Sequence, residues 1–345
     1  MIRRIPDPPE ETLGTAASAF KTLNDGKGRR LDYLRLSVTD RCNLRCRYCL
    51  PAVGLPPTPR SQLLSWDEMY RLCRLFTGVG ICKIRLTGGE PLLRPGVFDF
   101  LERLGELPGT PELLLTTNAT LLTDALPRLR EVGVRRLNIS LDSLQPDNYR
   151  RITRGGDLAT VLSALDHAES AGFGLKINMV VMTGINDHEI ADFVDLTRHH
   201  NWTVRFIEPM PFDGQGGDQS SLITGDQILQ RMRNEFSLCP VTGNPSAVDE
   251  LYSATGHRGR VGIIRGHSRT FCASCSRLRV SARGELRTCL YGHAALDLRE
   301  LLQNGTADED IITALGQAVR RRSRDGLLAQ ALANGGDDSM SRIGG

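Results

Sequence analysis

Across the first 210 residues, six short β-rich runs alternate with amphipathic stretches, and this alternation restricts the fold more than any other feature. The runs are Tyr33–Val38, Cys82–Thr87, Glu112–Thr117, Arg136–Leu141, Leu175–Val181 and Thr203–Glu208. Between them Trp66–Thr77, Val97–Leu104, Ala125–Val132, Ala159–Ala171 and His188–His199 carry apolar residues at the i, i+3, i+4 spacing of a helix. Strand, helix, strand at this rhythm predicts βαβ units and a parallel sheet. Six units are too few to close an eight-unit barrel, so the expected class is α/β, an open, partial TIM-type βα barrel. Ligands of such sheets gather at the carboxyl ends of the strands. Four motifs fall there: Cys42–Cys49, Gly88-Gly89-Glu90-Pro91, Asn118 and Ser140–Asp142 follow or end the first four runs.

Pro209 to Gly217 is rich in Pro and Gly and marks a boundary after which the rhythm fails. A helix over Gly225–Phe236 precedes β-like runs at Val261–Arg265, Leu278–Val280 and Glu285–Leu286, turned by Arg283-Gly284, and Ala294–Ala333 returns to helix. The expected organisation is a flexible leader over 1–28, the barrel over 29–210, a smaller C-terminal α+β unit over 211–334 and a flexible tail, 335–345, ending in Gly-Gly. A net charge of +3 calls for no nucleic-acid partner, and no apolar run approaches a membrane span. The leader lacks the apolar region of a signal peptide, so the expected compartment is a reducing cytoplasm.

Six of the nine cysteines form two triads with metal-site spacing. The first is Cys42-x₃-Cys46-x₂-Cys49; the second is Cys272-x₂-Cys275 followed by Cys289. Three thiolates can hold three irons of a [4Fe–4S] cube and leave the fourth iron open. The competing reading is structural zinc, which takes four Cys or His ligands. The first triad has no His within thirty residues, whereas His267 or His293 could complete the second. Disulfides are not expected of close-set cysteines in a chain without secretory features. Cys73, Cys82 and Cys239 read as core or partly exposed thiols.

C-x₃-C-x₂-C with Tyr48 before its last Cys resembles the radical S-adenosylmethionine (radical SAM) enzymes. Within them the chain is similar to the GTP 3′,8-cyclases, the molybdenum cofactor biosynthesis protein A family. The likeness rests on Leu34–Asn43, Ile84–Pro91, Thr116-Thr117-Asn118, Asn138–Asp142, Gly184–Asp187, Arg205–Glu208, Phe271–Arg279 and the terminal Ile343-Gly344-Gly345, and runs from about residue 26 to the end. It implies two [4Fe–4S] clusters, on Cys42, Cys46 and Cys49 and on Cys272, Cys275 and Cys289. It implies SAM contacts at Tyr48, Gly89, Ser140 and Met210. It implies GTP contacts at Arg35, Arg85, Thr116, Lys176, Arg277, Leu278 and Arg279, and a catalytic role for Gly344 and Gly345, whose tail enters the active site. The reaction implied is radical cyclisation of GTP, with an electron donor such as flavodoxin or ferredoxin, cyclic pyranopterin monophosphate synthase as the next enzyme, and a monomer or homodimer that binds neither nucleic acid nor membrane. Two residues depart from the family pattern: Ala119, where Gly is usual, and Pro209, where an aromatic or aliphatic residue is common.

The residues support part of this on their own. Arg35, Arg85, Lys176, Arg277 and Arg279 sit in strand-like runs among apolar neighbours, where charges stay only when paired. Arg277 and Arg279 alternate, so both guanidinium groups face one side and match a polyphosphate; salt bridges to local carboxylates are the alternative. No Walker A motif is present. Arg320-Arg321-Arg322-Ser323-Arg324 reads as a solvated helix end. The enzymatic alternative is a radical SAM enzyme acting on a peptide with an auxiliary cluster. The non-enzymatic one is a zinc-binding protein.

Overall fold

The computed structural model describes residues 22–56, 58–210, 222–242, 247–266, 268, 270–333 and 340–343. Its centre is a set of strands β1 (Tyr33–Ser37), β2 (Lys83–Thr87), β3 (Glu112–Thr117), β4 (Arg136–Ser140), β5 (Gly174–Val180) and β6 (Thr203–Ile207). Helices α1 (Trp66–Gly78), α2 (Val97–Gly105), α3 (Leu122–Glu131), α4 (Pro146–Thr153), α5 (Leu158–Ser170) and α6 (Ile190–His199) lie between them. The chain continues with α7 (Gly225–Glu235), β7 (Leu238–Val241), β8 (Asp249–Ala254), β9 (Arg260–Ile264), β10 (Arg277–Val280), β11 (Glu285–Arg287) and β12 (Leu296–Asp297). It ends in α8 (Leu298–Gln303), α9 (Asp308–Arg320), α10 (Gly326–Leu332) and the turn α11 (Met340–Ile343).

Local chemistry sets several boundaries. Ser65 and Glu68 form a capping box at the start of α1, Thr224 and Gln227 another at α7, and Asp157 caps α5. The sequence pattern missed α4, a short, mostly polar helix whose buried face includes Asn148 and Thr153, and the hairpin β7–β8, whose outer strand exposes Cys239 and Pro240. The helical stretch expected over Ala294–Ala333 is three helices after a short strand.

All twelve strands join one unclosed sheet, in the order β12-β11-β10-β1-β2-β3-β4-β5-β6-β9-β8-β7. The open barrel expected from six units is therefore extended. β10 adds in parallel to β1 and β9 in parallel to β6, giving eight parallel strands in a row. The row does not close, because each end strand turns into an antiparallel hairpin, β10–β11–β12 on one side and β9–β8–β7 on the other.

The period-two alternation of each strand separates two environments. Leu34, Leu36, Ile84, Leu86, Ile139, Ile177, Phe206 and Leu278 are fully buried in the core between sheet and helices. Their neighbours Tyr33, Arg35, Arg85, Asn138, Lys176, Asn178, Arg205, Arg277 and Arg279 point to the other face and line a cavity. The apolar half of the pattern makes the fold; the polar half builds the site.

Candidate active site

Both cysteine triads line one cavity of about 480 Å³. The strand register explains how. Tyr33 of β1 pairs with Arg277 of β10, and the two strands are parallel. Cys42–Cys49 follow β1, so the first triad lies beyond its carboxyl end. Cys272 and Cys275 precede β10, so they lie at the opposite end, and the antiparallel β11 returns the chain to that same end just before Cys289. The rule that ligands gather at carboxyl ends thus holds for the first triad and not for the second. A five-residue strand such as β1 spans about 16 Å at ~3.3 Å per residue, which leaves room for a nucleotide between the triads.

The glycine pair shapes the first end. A Cβ at Gly88 would lie 2.2 Å from the Thr39 carbonyl oxygen and one at Gly89 2.1 Å from that of Arg41. Gly89 N–H donates to Thr39 O at 2.7 Å and Glu90 N–H to Arg41 O at 2.8 Å. The close approach that demands glycine is therefore to the loop leading into the cysteines. Glu90 is fully buried and accepts from Leu92 N–H, Thr117 Oγ1 and Asn118 N–H; burial raises its carboxyl to about 7. Asn118 in turn donates its amide to Asn43 Oδ1 and toward Cys42 Sγ, at 2.9 and 3.6 Å. The next residue, Ala119, has a left-handed backbone with φ +63, a conformation glycine adopts more readily.

Tyr48 faces the cavity, and its hydroxyl donates to Asp142 Oδ2 at 2.9 Å; Asp142 Oδ1 accepts from Val180 N–H. Burial lifts Asp142 to about 6. Ser140 and Met210 also line the cavity. Burial raises the Cys42 thiol, and raises Cys46 well above its usual range with help from Asp142. As free thiols they hold their protons, and metal ligation would release them.

The middle of the cavity is strongly basic. Arg35 pairs in register with Arg85 on one side and Arg279 on the other, and Arg279 pairs with Arg287, so four arginines form one row across β11, β10, β1 and β2. Arg85 Nε donates to the Tyr33 hydroxyl and its Nη1 to Leu115 O. Burial opposes ionisation of that phenol, yet the guanidinium groups of Arg85, Arg35 and Arg277 bring Tyr33 down to about 8. Burial lowers Arg35, then crowding by Arg279; it lowers Arg279 to about 10. Like charges held this close in a buried row oppose folding unless an anion joins them.

Thr116 and Lys176 also line the cavity. Leu278 does not: it points to the opposite face and is buried in the core, leaving only its backbone on the strand between Arg277 and Arg279. Arg205 was not singled out by the sequence and faces the cavity from β6. Its Nε and Nη2 are buried without a hydrogen-bond partner, and burial lowers it to about 10. Asp249 Oδ2 stands 3.9 Å from both Arg205 and Lys176. Gly262 makes this possible, because a Cβ there would press on Arg205, Leu251 and Asp249 at 3.2–3.3 Å. Thr116 Oγ1, Asn178 Oδ1 and Arg277 Nε are further buried polar atoms without a hydrogen-bond partner on the same cavity wall. Such atoms await a polar ligand.

At the second triad, Arg29 donates to Cys272 O, Ser323 O and Arg324 O at 2.8–2.9 Å and is balanced by Asp25. Gly326 N–H donates to Cys272 Sγ. Arg322 is 4% exposed and donates to Cys275 O at 2.9 Å, so the solvated helix end expected for Arg320–Arg324 is corrected at this residue. α9 stops at Arg320, and the chain then turns inward. Burial alone would raise the Cys275 thiol, but Arg322 and Arg277 hold it below its usual value.

All six cysteines are free of disulfides, and Cys73 is buried while Cys82 and Cys239 are exposed. Among the described residues no three Cys, His, Asp or Glu converge closely enough to hold a single metal ion. Two sets of three soft donors at a cavity wall suit a larger iron–sulfur group better than one zinc. His267, a candidate fourth ligand for zinc, lies outside the described residues, as do Gly344 and Gly345. The turn just before those glycines has Met340 lining the cavity and Ile343 buried.

Two family models match the chain. Residues 36–197 match the Radical SAM superfamily and residues 202–327 match Molybdenum Cofactor Synthesis C. The chain is 44% identical over 330 residues to a protein of Geobacter sulfurreducens named GTP 3′,8-cyclase, covering 94% of this chain and 99% of that one. It is 40% identical to the mitochondrial GTP 3′,8-cyclase of Arabidopsis thaliana, over 94% and 83% of the two chains. It is also 40% identical to human molybdenum cofactor biosynthesis protein 1, of which it spans about half, 48%. Among solved structures, Streptococcus suis SuiB matches with a TM-score of 0.60 at 13% identity, covering 88% of this chain and 73% of that one, a likeness of fold alone. The radical SAM match implies an iron–sulfur cluster and SAM. No helix among the described residues is long and apolar enough to cross a membrane.

Proposed function

We propose that this chain, which belongs to the GTP 3′,8-cyclase family of the radical SAM superfamily, joins the ribose C3′ of GTP to C8 of its own guanine. The product is (8S)-3′,8-cyclo-7,8-dihydroguanosine 5′-triphosphate, the opening step of molybdenum cofactor biosynthesis. The observation that carries the reading is the single cavity that has a thiol triad at each end and a row of arginines between.

Cys42, Cys46 and Cys49 would hold the first [4Fe–4S] cluster, and Cys272, Cys275 and Cys289 the second. With SAM bound, the first cluster would supply 5′-deoxyadenosyl radical chemistry, and the second would serve to hold the guanine base. The chain's own residues do the rest. Gly89, Ser140, Tyr48 and Met210 border the SAM end. Arg35, Arg85, Lys176, Arg277 and Arg279, with Thr116 and the Leu278 backbone, hold the triphosphate, and Arg205 joins them. Their fixed donors orient the ribose toward the SAM end. Met340 lines the cavity, and Gly344 and Gly345, which follow it in sequence, take the catalytic role in this reading, since a segment without side chains suits a narrow space beside substrate.

The reaction also needs an electron from outside, from a carrier such as flavodoxin or ferredoxin, and a cytoplasmic, reducing setting. The product passes to cyclic pyranopterin monophosphate synthase, and the chain acts as a monomer or homodimer. Anaerobic incubation of reconstituted, reduced protein with SAM and GTP tests the reading. A chromatographically distinct isomer of GTP is expected; recovery of GTP alone from protein with full iron content contradicts it.

A further inference from the structure

We propose that the outer face of the loop carrying the first cysteine triad is a docking surface for an acidic one-electron carrier protein, an inference that rests on the external electron required above. The loop alternates. Cys42, Leu44, Cys46, Tyr48 and Cys49 line the cavity, whereas Arg41, Arg45 and Arg47 do not. Arg41 and Arg45 are exposed and Arg47 is half-buried. The thiols and the arginines are therefore opposite faces of one thin layer of chain. The arginine side of the loop is the side that does not line the cavity.

A second segment reinforces the patch. Arg45 N–H donates to Thr153 O and Arg47 N–H to Ile152 O, both at 3.0 Å, which sews the loop to the end of α4. Arg154 then donates to Arg45 O and Leu50 O at 2.9 and 2.7 Å. The same segment carries Arg150 and Arg151, both exposed.

Positive charge is in excess here, although Asp40 and Asp147 lie beside it in sequence. From Arg41 to Trp66 the chain has Arg41, Arg45, Arg47 and Arg60 and no Asp or Glu. Among the described residues, Arg41, Arg45, Arg150, Arg151 and Arg154 form no ion pair with a carboxylate, whereas the surface residues Arg128 and Arg198 do. Asp157, the acid that follows Arg154, caps α5 and also feels the charge of Arg150. At the tip of the loop Val53 is 97% exposed. An excess of exposed arginine on a segment that also exposes Val53 matches a partner whose own face is acidic with an apolar centre. The step transfers one electron from a reduced flavin or iron–sulfur carrier to the cluster. The carrier is oxidised by one electron, the cluster is reduced by one, and no atom moves.

The test compares two reductants on the reconstituted holoenzyme. Bleaching of the cluster is followed by stopped flow with reduced flavodoxin and, separately, with the methyl viologen radical cation. The double variant Arg150→Glu with Arg151→Glu alters charge without touching the cysteine loop, and Arg45→Glu alters the loop itself. With flavodoxin at low ionic strength the double variant should be slowed about tenfold or more, and added salt should narrow the gap. With methyl viologen its rate should be unchanged or higher, because a small cation gains from the lost positive charge. Unchanged flavodoxin rates overturn the proposal, as does an equal loss with both reductants. Unchanged flavodoxin rates together with lost binding of single-stranded RNA would assign the patch to nucleic acid. Protein that holds no iron overturns the cofactor reading first and this inference with it.

Discussion

Arg205→Met makes a prediction with two opposite signs. The side chain is almost completely buried, and its Nε and Nη2 donors have no partner. Asp249 stands at 3.9 Å, beyond hydrogen-bond distance. Each unmade buried donor costs about 1–3 kcal/mol, and burial of an under-paired charge adds to that. Met has a similar length and no charge, and Lys176 remains beside Asp249. Without ligand, the variant should melt at the same temperature as the parent or higher. Its affinity for GTP should fall, because a charge-assisted bond to phosphate contributes about 1.5–3 kcal/mol, a loss of about 10- to 150-fold in Kd. Calorimetric titration with GTP and with guanosine, plus thermal melts with and without GTP, reads both signs. Parent protein should be stabilised by GTP and the variant much less. A lower melting temperature without ligand, or an equal loss for guanosine and GTP, would show that Arg205 serves the fold or the base and not the triphosphate.

Further predictions follow from single features. Gly89→Ala drives a Cβ into the Arg41 carbonyl at 2.1 Å, so the cysteine loop must shift; half the iron should be lost while the second cluster stays. Tyr33 titrates near 8, below the ordinary phenol near 10. The folded state releases that proton first, so this group adds stability as pH rises from about 8 toward 10. A tyrosinate beside the arginines repels triphosphate, and GTP affinity should weaken above about pH 8 in the parent and not in Tyr33→Phe. Deleting Gly344 and Gly345 should leave iron content and melting temperature nearly unchanged and severely reduce cyclisation; full activity would assign the glycines no role.

The sequence conveyed local periodicity well and long-range pairing poorly. Alternating apolar residues were enough to find β1 to β6, because each strand buries one face on its own helices. Pairing of β10 with β1 joins residues more than two hundred positions apart, and no local signal encodes it. Of the arginine row, Arg35, Arg85 and Arg279 were therefore legible only as separate residues, and Arg287 and the opposite ends of the two triads not at all. Arg277 and Arg279 were recognisable by alternation, and the same alternation turns Leu278 into the core. Arg205 and Arg322 were missed for different reasons. Arg205 carries the same signal as Arg35 and Arg85, a charge between apolar strand neighbours, and was read only as part of a matching stretch; its orphaned donors exist only in three dimensions. Arg322 follows two other arginines in a helix-end pattern, and its burial depends on where α9 stops. Ala119 was visible as a departure from a family pattern, but its positive φ needed the backbone.

The central claim is hydrogen transfer from the ribose C3′ of GTP at the SAM end of this cavity. Isotope transfer measures it directly: the reconstituted, reduced enzyme is given SAM with GTP deuterated at C3′, and the 5′-deoxyadenosine formed is weighed by mass spectrometry. Hydrogen taken from C3′ should make that product one mass unit heavier, with no such shift from GTP deuterated at C2′. Unlabelled 5′-deoxyadenosine formed alongside consumption of the C3′-deuterated GTP would contradict the account.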